Sequence, residues 1–350
     1  MQRIALNGFG RIGRNVVRAW FEREKPYDFV IIAVNDVADL GTLAHLFKYD
    51  STHGTFKGTV QVVQEDKRAY LEVAYLGRHL KIQFFQQADP VTLPWQQLNI
   101  DVALECTGLF RSYADASKHL QAGAKRVIVG AAPFDYVDAA IVYGVNHKDI
   151  KATDRVISSV SCTTQALVPL VKVLDDCFGV ESALMTEIHA VTTDQAVLDH
   201  AHRDLRRARA CGHNIIPTTS SALGALKRVM PKMEHRIHGY SIRVPTLNVA
   251  AIDLTFVAQS EIDVDRLNQA FQQAAMHDYK EIMACTSDYL VSSDFNHLPQ
   301  SLIVDLTQTM VVGRQAKVYA WYDNEWGYAN RLLDLSQILA SVALPQNICV

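Results

Sequence analysis

The sequence predicts a two-part α/β protein: a doubly wound parallel sheet over residues 1–158, then an α+β domain with a mixed or antiparallel sheet over residues 159–327. Three observations predict it. Short β-branched runs alternate with helical patterns through the first 150 residues, the rhythm of a parallel sheet covered by helices. Past a cysteine-led helix near residue 160 the strands lengthen, with polar loops between them. A chain of 350 residues also exceeds what one hydrophobic core usually serves.

Taken in order, Arg3-Ile4-Ala5-Leu6-Asn7 reads as a short buried strand that runs into Gly8-Phe9-Gly10-Arg11-Ile12-Gly13 and a helix over 14–21. A second apolar strand, 29–34, ends at Asn35-Asp36. Strand, G-x-G-x-x-G, helix, strand and acid in that order form a dinucleotide-binding unit. Gly8 permits the tight turn, Gly10 lets backbone approach a pyrophosphate, and Gly13 lets helix pack on strand. The helix N-terminus receives the phosphate charge. Asp36 can accept from both ribose hydroxyls and would repel a 2′-phosphate, so the expected cofactor is NAD. Strands at 101–106, 126–129 and 140–145, with a helix over 113–123, continue the sheet.

Next comes Ser159-Val160-Ser161-Cys162-Thr163-Thr164-Gln165, a thiol among hydroxyls. Ser159, Ser161 and Thr163 are N-cap types, and the apolar-periodic run 166–174 follows as a helix. Cys162 then sits at the positive end of that helix, where a thiol pKa of about 8.5 is lowered toward the reactive thiolate. A buried inert thiol is the other fate open to a single cysteine. In the second half, 183–191, 240–243, 249–258 and 317–322 read as strands, and 221–229 and 264–276 as helices, the latter capped by Asp263. A terminal helix from Trp326, with Leu332, Leu333, Leu335, Ile338, Leu339 and Val342 on its apolar positions, is expected to return to the first domain and complete it over 328–350.

The chemistry follows from residue types. His189 ends a strand beside Thr192, Thr193 and Asp194, and its ordinary pKa lets it take the thiol proton and return one. Cys162 would attack an aldehyde to give a thiohemiacetal, hydride would pass to NAD, and the thioester would be open to phosphate or water. The guanidinium-rich run 204–209 (with Arg207), the hydroxyl-rich run 216–221 (with Ser220 and Ser221) and Arg243 suit phosphate oxygens. In the polar-aromatic turn from Tyr322 to Tyr328, Asn324 is a residue type that suits a carboxamide, with plain packing as the other reading of that turn. Composition excludes other classes. A net charge of −3 gives no nucleic-acid or membrane surface. No apolar run of about 18 residues and no leader appear, so a membrane span and secretion are not expected. The six cysteines are scattered without a C-x-x-C pair, pointing to a reducing cytoplasm and no zinc site. No metal is expected; His200 and His202 read as surface residues.

These features together resemble the glyceraldehyde-3-phosphate dehydrogenase family, including its relative erythrose-4-phosphate dehydrogenase, nearly end to end. The resemblance rests on residues 7–14, Val34-Asn35-Asp36, 48–54, Glu105-Cys106-Thr107-Gly108, Ser161-Cys162-Thr163-Thr164, 204–210, Arg243-Val244-Pro245-Thr246 and 321–328. It implies a homotetramer of chains, each with a Rossmann domain and a catalytic domain, that oxidises glyceraldehyde 3-phosphate to 1,3-bisphosphoglycerate in glycolysis. By the resemblance Cys162 is the nucleophile and His189 the base and later the acid. Arg11, Ile12 and Asp36 lie on the dinucleotide, Thr107 near it, and Asn324, with Tyr328 in the same turn, on the nicotinamide side. Thr192, Asp194 and Arg243 form one phosphate pocket. Ser161, Thr163 and Ser220, next to Ser221, form the pocket for inorganic phosphate, with Arg207 close to both. The chain departs from the family pattern at Val160, where Ala is usual, at Gln165, where Asn is usual, and at Ser220-Ser221, where Thr-Gly is usual. His189 to Gln195, with Thr192, resembles the triose enzyme. Residues 294–297 and 307–309 look more like the erythrose enzyme, which remains the alternative substrate reading. The departures at Gln165 and Ser221 motivate another, an NAD-binding regulatory protein with weak turnover.

Overall fold

The computed structural model describes residues 1–342, and within them the chain forms two compact units. Unit 1 runs from Met1 to Val160 and resumes at Ala329; unit 2 is Ser161–Tyr328. In unit 1 the elements are β1 (Gln2–Asn7), α1 (Arg11–Glu22), β2 (Phe29–Asn35), α2 (Leu40–Lys48), the short pair β3 (Tyr49–Asp50) and β4 (Gly54–Thr55), and β5 (Thr59–Glu65). They continue with β6 (Arg68–Tyr75), β7 (Arg78–Phe85), β8 (Val102–Glu105), α3 (Tyr113–Ala116), α4 (Lys118–Gln121), β9 (Arg126–Val129), β10 (Ala139–Ala140) and β11 (Val156–Ser158).

One sheet of nine strands among the described residues runs β10-β11-β9-β8-β1-β2-β7-β6-β5. It is parallel from β10 to β7, and its core strands carry unbroken buried runs, as parallel strands covered on both faces require. The expected wholly parallel sheet is extended by an antiparallel meander, β5-β6-β7. Its turns put Asp66-Lys67 and Leu76-Gly77 at positive φ, the two-residue turn that matches strand twist. Two further expectations are corrected. The helix over 113–123 is broken at Ser117, whose hydroxyl bonds back to the Tyr113 carbonyl at 2.7 Å. The strand over 140–145 ends at Ala140, because the Asn146 side chain takes the Val142 amide at 2.8 Å and turns the chain.

Unit 2 holds α5 (Cys162–Phe178), β12 (Val180–Ala190), β13 (Ile216–Thr218), α6 (Ala222–Val229), β14 (Ile237–Val244), β15 (Ala250–Ala258) and α7 (Val264–Met276). Beyond these come β16 (Met283–Thr286), β17 (Leu302–Asp305), β18 (Met310–Val312) and β19 (Gln315–Tyr322), and α8 (Trp326–Ser341) starts here and finishes in unit 1. The sheet order is β13-β14-β12-β15-β19-β17-β16, with β18 on β19. It is mixed: β12 pairs β14 parallel and β15 antiparallel. Asp263 caps α7 by accepting the Arg266 amide, and Ser161 caps α5 by accepting the Thr164 amide at 3.1 Å. The expected terminal helix is described as far as Ser341. Its remainder to 350, Leu344 and Cys349 included, lies outside the described residues.

Candidate active site

In unit 1 the carboxyl ends of the neighbouring strands β2, β1 and β8 carry Asp36, the glycine loop and Thr107. A ligand crevice forms where successive connections leave a central strand in opposite directions, and β1 is that strand. Gly8 has φ +94°, and a Cβ there would lie 2.8 Å from the Thr107 amide. A Cβ on Gly13 would lie 2.2 Å from the Gly8 carbonyl, so helix and loop close only on glycine. A Cβ on Gly10 would meet nothing within 4 Å, and this N-cap of α1 makes no side-chain cap bond. Backbone amides and helix charge there face open space, as an anion needs. Asp36 is held over the loop by the Phe9 amide at 2.7 Å and the Ala38 amide at 3.0 Å. Arg11 reaches Asp50 at 2.5 Å, and Ile12 is half-exposed beside it in the first turn.

A buried polar chain lies under this loop. Asn35 donates to Asn7 and Asn7 to Glu105, each at 2.6 Å. The Trp95 indole, a donor only, binds His119 Nδ1 at 3.1 Å, so Nε2 carries the proton toward Glu105 at 3.1 Å. The other oxygen of Glu105 takes the Thr107 amide at 2.7 Å and also its hydroxyl. Glu105 thereby fixes the loop that backs Gly8.

In unit 2, Cys162 is the first residue of α5, and its Sγ lies 3.7 Å from His189 Nε2. His189 is 3 % exposed, near the end of β12. On the far side of the imidazole, Nδ1 lies 2.7 Å from the Ala190 carbonyl and 2.9 Å from Arg243 Nη1. The parallel register pairs His189 directly with Arg243, which is why residues 54 apart in sequence meet. Two tautomers match these contacts. With Nδ1–H donated to Ala190, Nε2 is a bare acceptor aimed at the thiol; with Arg243 donating to Nδ1, Nε2 carries the proton.

The thiol itself corrects an expectation. Burial, and then the Glu187 carboxylate, push Cys162 up to about 11, outweighing the hydrogen bond from Thr163 and the charge of Arg243. Burial, and then Arg243, push His189 below the usual imidazole range against the pull of Glu187. Both shifts share one first cause, since burial disfavours charge on either partner. Thr163, expected on a phosphate, is buried, and its hydroxyl donates to Glu187 at 2.6 Å and meets the Tyr322 hydroxyl at 2.8 Å. Ser161 caps α5 and pairs with the Thr164 hydroxyl at 2.7 Å.

The anion-binding candidates cluster in the same unit. Arg207 donates to the Thr218 hydroxyl at 2.8 Å, to the Thr219 carbonyl at 3.2 Å and to Asp194. Asp194 thus orients a cation, the role left to a carboxylate that would repel phosphate. His202, expected at the surface, is instead tucked in, taking the Asp204 amide on Nδ1 at 2.9 Å and facing Asp194 from Nε2 at 3.4 Å. The Ser220 hydroxyl accepts the Ala222 amide at 3.3 Å, Ser221 precedes α6 exposed, and Thr192 is half-buried at the loop start. Arg243 Nε, the Thr246 hydroxyl and both polar atoms of the Gln195 amide are buried without a partner among the described residues. A charged donor left unpaired costs most, so these atoms await a polar ligand. Asn324 is 7 % exposed with its Oδ1 likewise unpartnered, and Tyr328 is buried within the first turn of α8.

The sequence reading missed Glu187, Thr246 and Gln195. A glutamate in a strand looks like a solvent residue, and only the side-chain period of two, putting residues 185, 187 and 189 on one buried face, marks it. Among the described residues no group of three or more His, Cys, Asp or Glu is placed to hold a metal ion, and no helix is long and apolar enough to cross a membrane.

Comparison with known proteins gives two family matches. Residues 2–113 match the glyceraldehyde 3-phosphate dehydrogenase NAD binding domain, and residues 161–324 the C-terminal domain of the same family. Two Cupriavidus necator proteins, the plasmid and the chromosomal glyceraldehyde-3-phosphate dehydrogenase, are each 47% identical over 338 residues, covering 97% of this chain and 98% of the relative.

Proposed function

The chain belongs to the glyceraldehyde 3-phosphate dehydrogenase family, and from that membership we infer a thiol-based route for its reaction, with the residues described above in defined roles. The protein is an NAD-dependent oxidoreductase that oxidises glyceraldehyde 3-phosphate. The erythrose 4-phosphate reading and the regulatory reading are not favoured by these relatives. The observation that carries the route is the 3.7 Å approach of Cys162 Sγ to His189 Nε2.

Unit 1 fits NAD, as the glycine cradle and the uncapped start of α1 indicate. Gly8, Gly10, Arg11, Ile12 and Gly13 would border the pyrophosphate, Asp36 the ribose, and Thr107 the loop behind it. The unpartnered Oδ1 of Asn324 suits a carboxamide N–H, with Tyr328 fixing its turn. When bound, NAD accepts the hydride.

The chain's own groups do the rest. The Cys162 thiol adds across the aldehyde: the S–C bond forms, its proton passes to His189 Nε2, and the carbonyl oxygen takes a proton back. As hydride leaves that carbon, Nε2 takes the hydroxyl proton and the carbonyl reforms as a thioester. An oxygen of inorganic phosphate then bonds to the carbonyl carbon, the C–S bond breaks, sulfur recovers the proton from His189, and the phosphate's own proton passes to the freed ring and on to solvent. Arg243 with Thr192, and Arg207 held by Asp194, would hold the substrate phosphate. Ser161, Ser220 and Ser221, with the backbone at Thr163, would hold the attacking phosphate. A cytoplasmic homotetramer working in glycolysis is part of the proposal. The exposed side chains of Val197, Leu198, Leu205 and Ile215 support association, and scattered free thiols support a reducing compartment.

The test is direct. Purified protein given glyceraldehyde 3-phosphate, NAD and inorganic phosphate forms NADH, and Cys162→Ser lowers the rate about a thousandfold or more, as removal of a nucleophile does. Activity retained by that variant would overturn the assignment.

A further inference from the structure

A closed circuit of hydrogen bonds in unit 2 surrounds Arg207, and one of its members, His202, has no part in the route above. His202 accepts the Asp204 amide on Nδ1 at 2.9 Å, so its Nε2 carries the proton, 3.4 Å from Asp194 Oδ1. The other Asp194 oxygen accepts from Arg207 Nη1. Arg207 Nε donates to the Thr218 hydroxyl at 2.8 Å, and that hydroxyl donates to Asp204 Oδ2 at 2.6 Å. The circuit closes at Asp204, whose own amide fixes His202.

A guanidinium carries five N–H donors. Three of those on Arg207 are engaged among the described residues: with Thr218, with Asp194 and, at 3.2 Å, with the Thr219 carbonyl. The others, one on each terminal nitrogen, are left for an anion. The hold on Asp194 decides whether they stay open. Its side chain is half-exposed, and a carboxylate held only by a guanidinium favours two parallel hydrogen bonds. A second such bond would take an N–H that phosphate needs and turn a second negative oxygen toward the ligand. His202 prevents this by holding Oδ1 while Arg207 holds Oδ2.

We propose that His202 is a positioning residue for phosphate: it restricts Asp194 to a single bond on Arg207, so that the guanidinium keeps N–H donors for a phosphate group. The inference rests on the reading of Arg207 as a phosphate ligand given above. That group belongs to the substrate or to inorganic phosphate, and the two share the chemistry that Arg207 recognises. Asp194 alone would weaken such a seat by its charge. Divided between two donors, it aims the arginine with less of that charge turned toward the ligand.

His202→Asn and His202→Gln separate the two ends of the imidazole. Asparagine puts an acceptor where Nδ1 stands and releases Asp194; glutamine reaches as far as Nε2 and donates to Asp194 through its amide. In His202→Asn the KM for glyceraldehyde 3-phosphate rises about five- to tenfold, the scale of a partly lost charged hydrogen bond, while kcat and the KM for NAD stay within about twofold of the parent. His202→Gln keeps the parent's KM. A rise in the KM for inorganic phosphate, in place of that for the aldehyde, upholds the proposal and moves Arg207 to the attacking phosphate. A histidine that only braces its loop would lower kcat and melting temperature in both variants with neither KM selectively raised, and that result overturns the proposal. His202→Ala, read the same way, serves if the asparagine variant does not fold. A second measurement needs neither aldehyde nor NAD. Inorganic phosphate raises the parent's melting temperature, and His202→Asn requires about tenfold more phosphate for the same rise. Should the aldehyde not be oxidised at all, the proposed reaction has failed and this melt decides the role of His202: equal phosphate demand in parent and variant overturns it.

Discussion

Arg243 shows how much one side chain's meaning depends on its neighbour across the sheet. Its Nη1 touches the His189 ring and the Ala190 carbonyl, while its Nε is buried with no partner among the described residues, a donor that an anion would satisfy. A charged hydrogen bond is worth about 1.5–3 kcal/mol. Replacing Arg243 by Ala therefore lowers kcat/KM for glyceraldehyde 3-phosphate by about 10- to 150-fold more than for glyceraldehyde, which carries no phosphate. Steady-state kinetics on the two substrates checks it; equal losses on both would confine Arg243 to orienting His189. The thiol and the imidazole were each legible in sequence as reactive types at element ends. Their shared environment was not. Burial first, and then Glu187, reverse the sign expected for the thiol shift, and the carboxylate lies on a strand face that only the alternation of residues 185, 187 and 189 marks as buried.

At the scale of elements, the glycine loop and the caps were readable because each depends on a backbone need that few residue types meet. Gly8 and Gly13 have no room for a side chain, and Ser161 and Asp263 supply the oxygens that helix starts lack. The meander β5-β6-β7 was not read, because its turns are Asp66-Lys67 and Leu76-Gly77 in place of the Asn-Gly or Asp-Gly pairs that announce such hairpins. Val160 was flagged only as an unusual residue; the structure gives it φ +47°, left-handed backbone that a β-branched side chain resists, immediately before the Ser161 cap. Strain of about 1–3 kcal/mol at such a residue is sustained by the packing around it, here complete burial. The prediction is a difference. Val160→Gly and Val156→Gly remove equally buried side chains, but only the first relieves strain, so it destabilises unit 1 by about 2 kcal/mol less. Denaturant unfolding of both variants measures this, and equal costs would mean that Val160 is unstrained.

Across the whole molecule, the chain leaves unit 1 at Val160 and returns to it at Ala329, so unit 1 is finished only by residues that follow the whole of unit 2. The returning part of α8 buries Leu332 and Leu333 at 0 % exposure and Leu335 and Leu339 at 1 %; a Cβ on Gly130 would lie 3.7 Å from Leu332. Polar ties accompany them: Arg126 donates to the Val342 carbonyl at 2.7 Å, Arg23 pairs with Asp334, and Gln337 donates to Asp28 at 2.6 Å. Losing one buried leucine costs about 2–5 kcal/mol, so losing four removes roughly 8–20 kcal/mol from a unit whose whole stability is about 5–15 kcal/mol. A chain ended after Glu325 should therefore lose NAD binding by calorimetry and the cooperative melting of unit 1, although the glycine loop, Asp36 and Thr107 are all intact in its sequence. NAD bound by that truncated chain with the parent's affinity would show that the nine-stranded sheet closes its core without the helix, and that the periodic leucines of the last described segment serve some other surface.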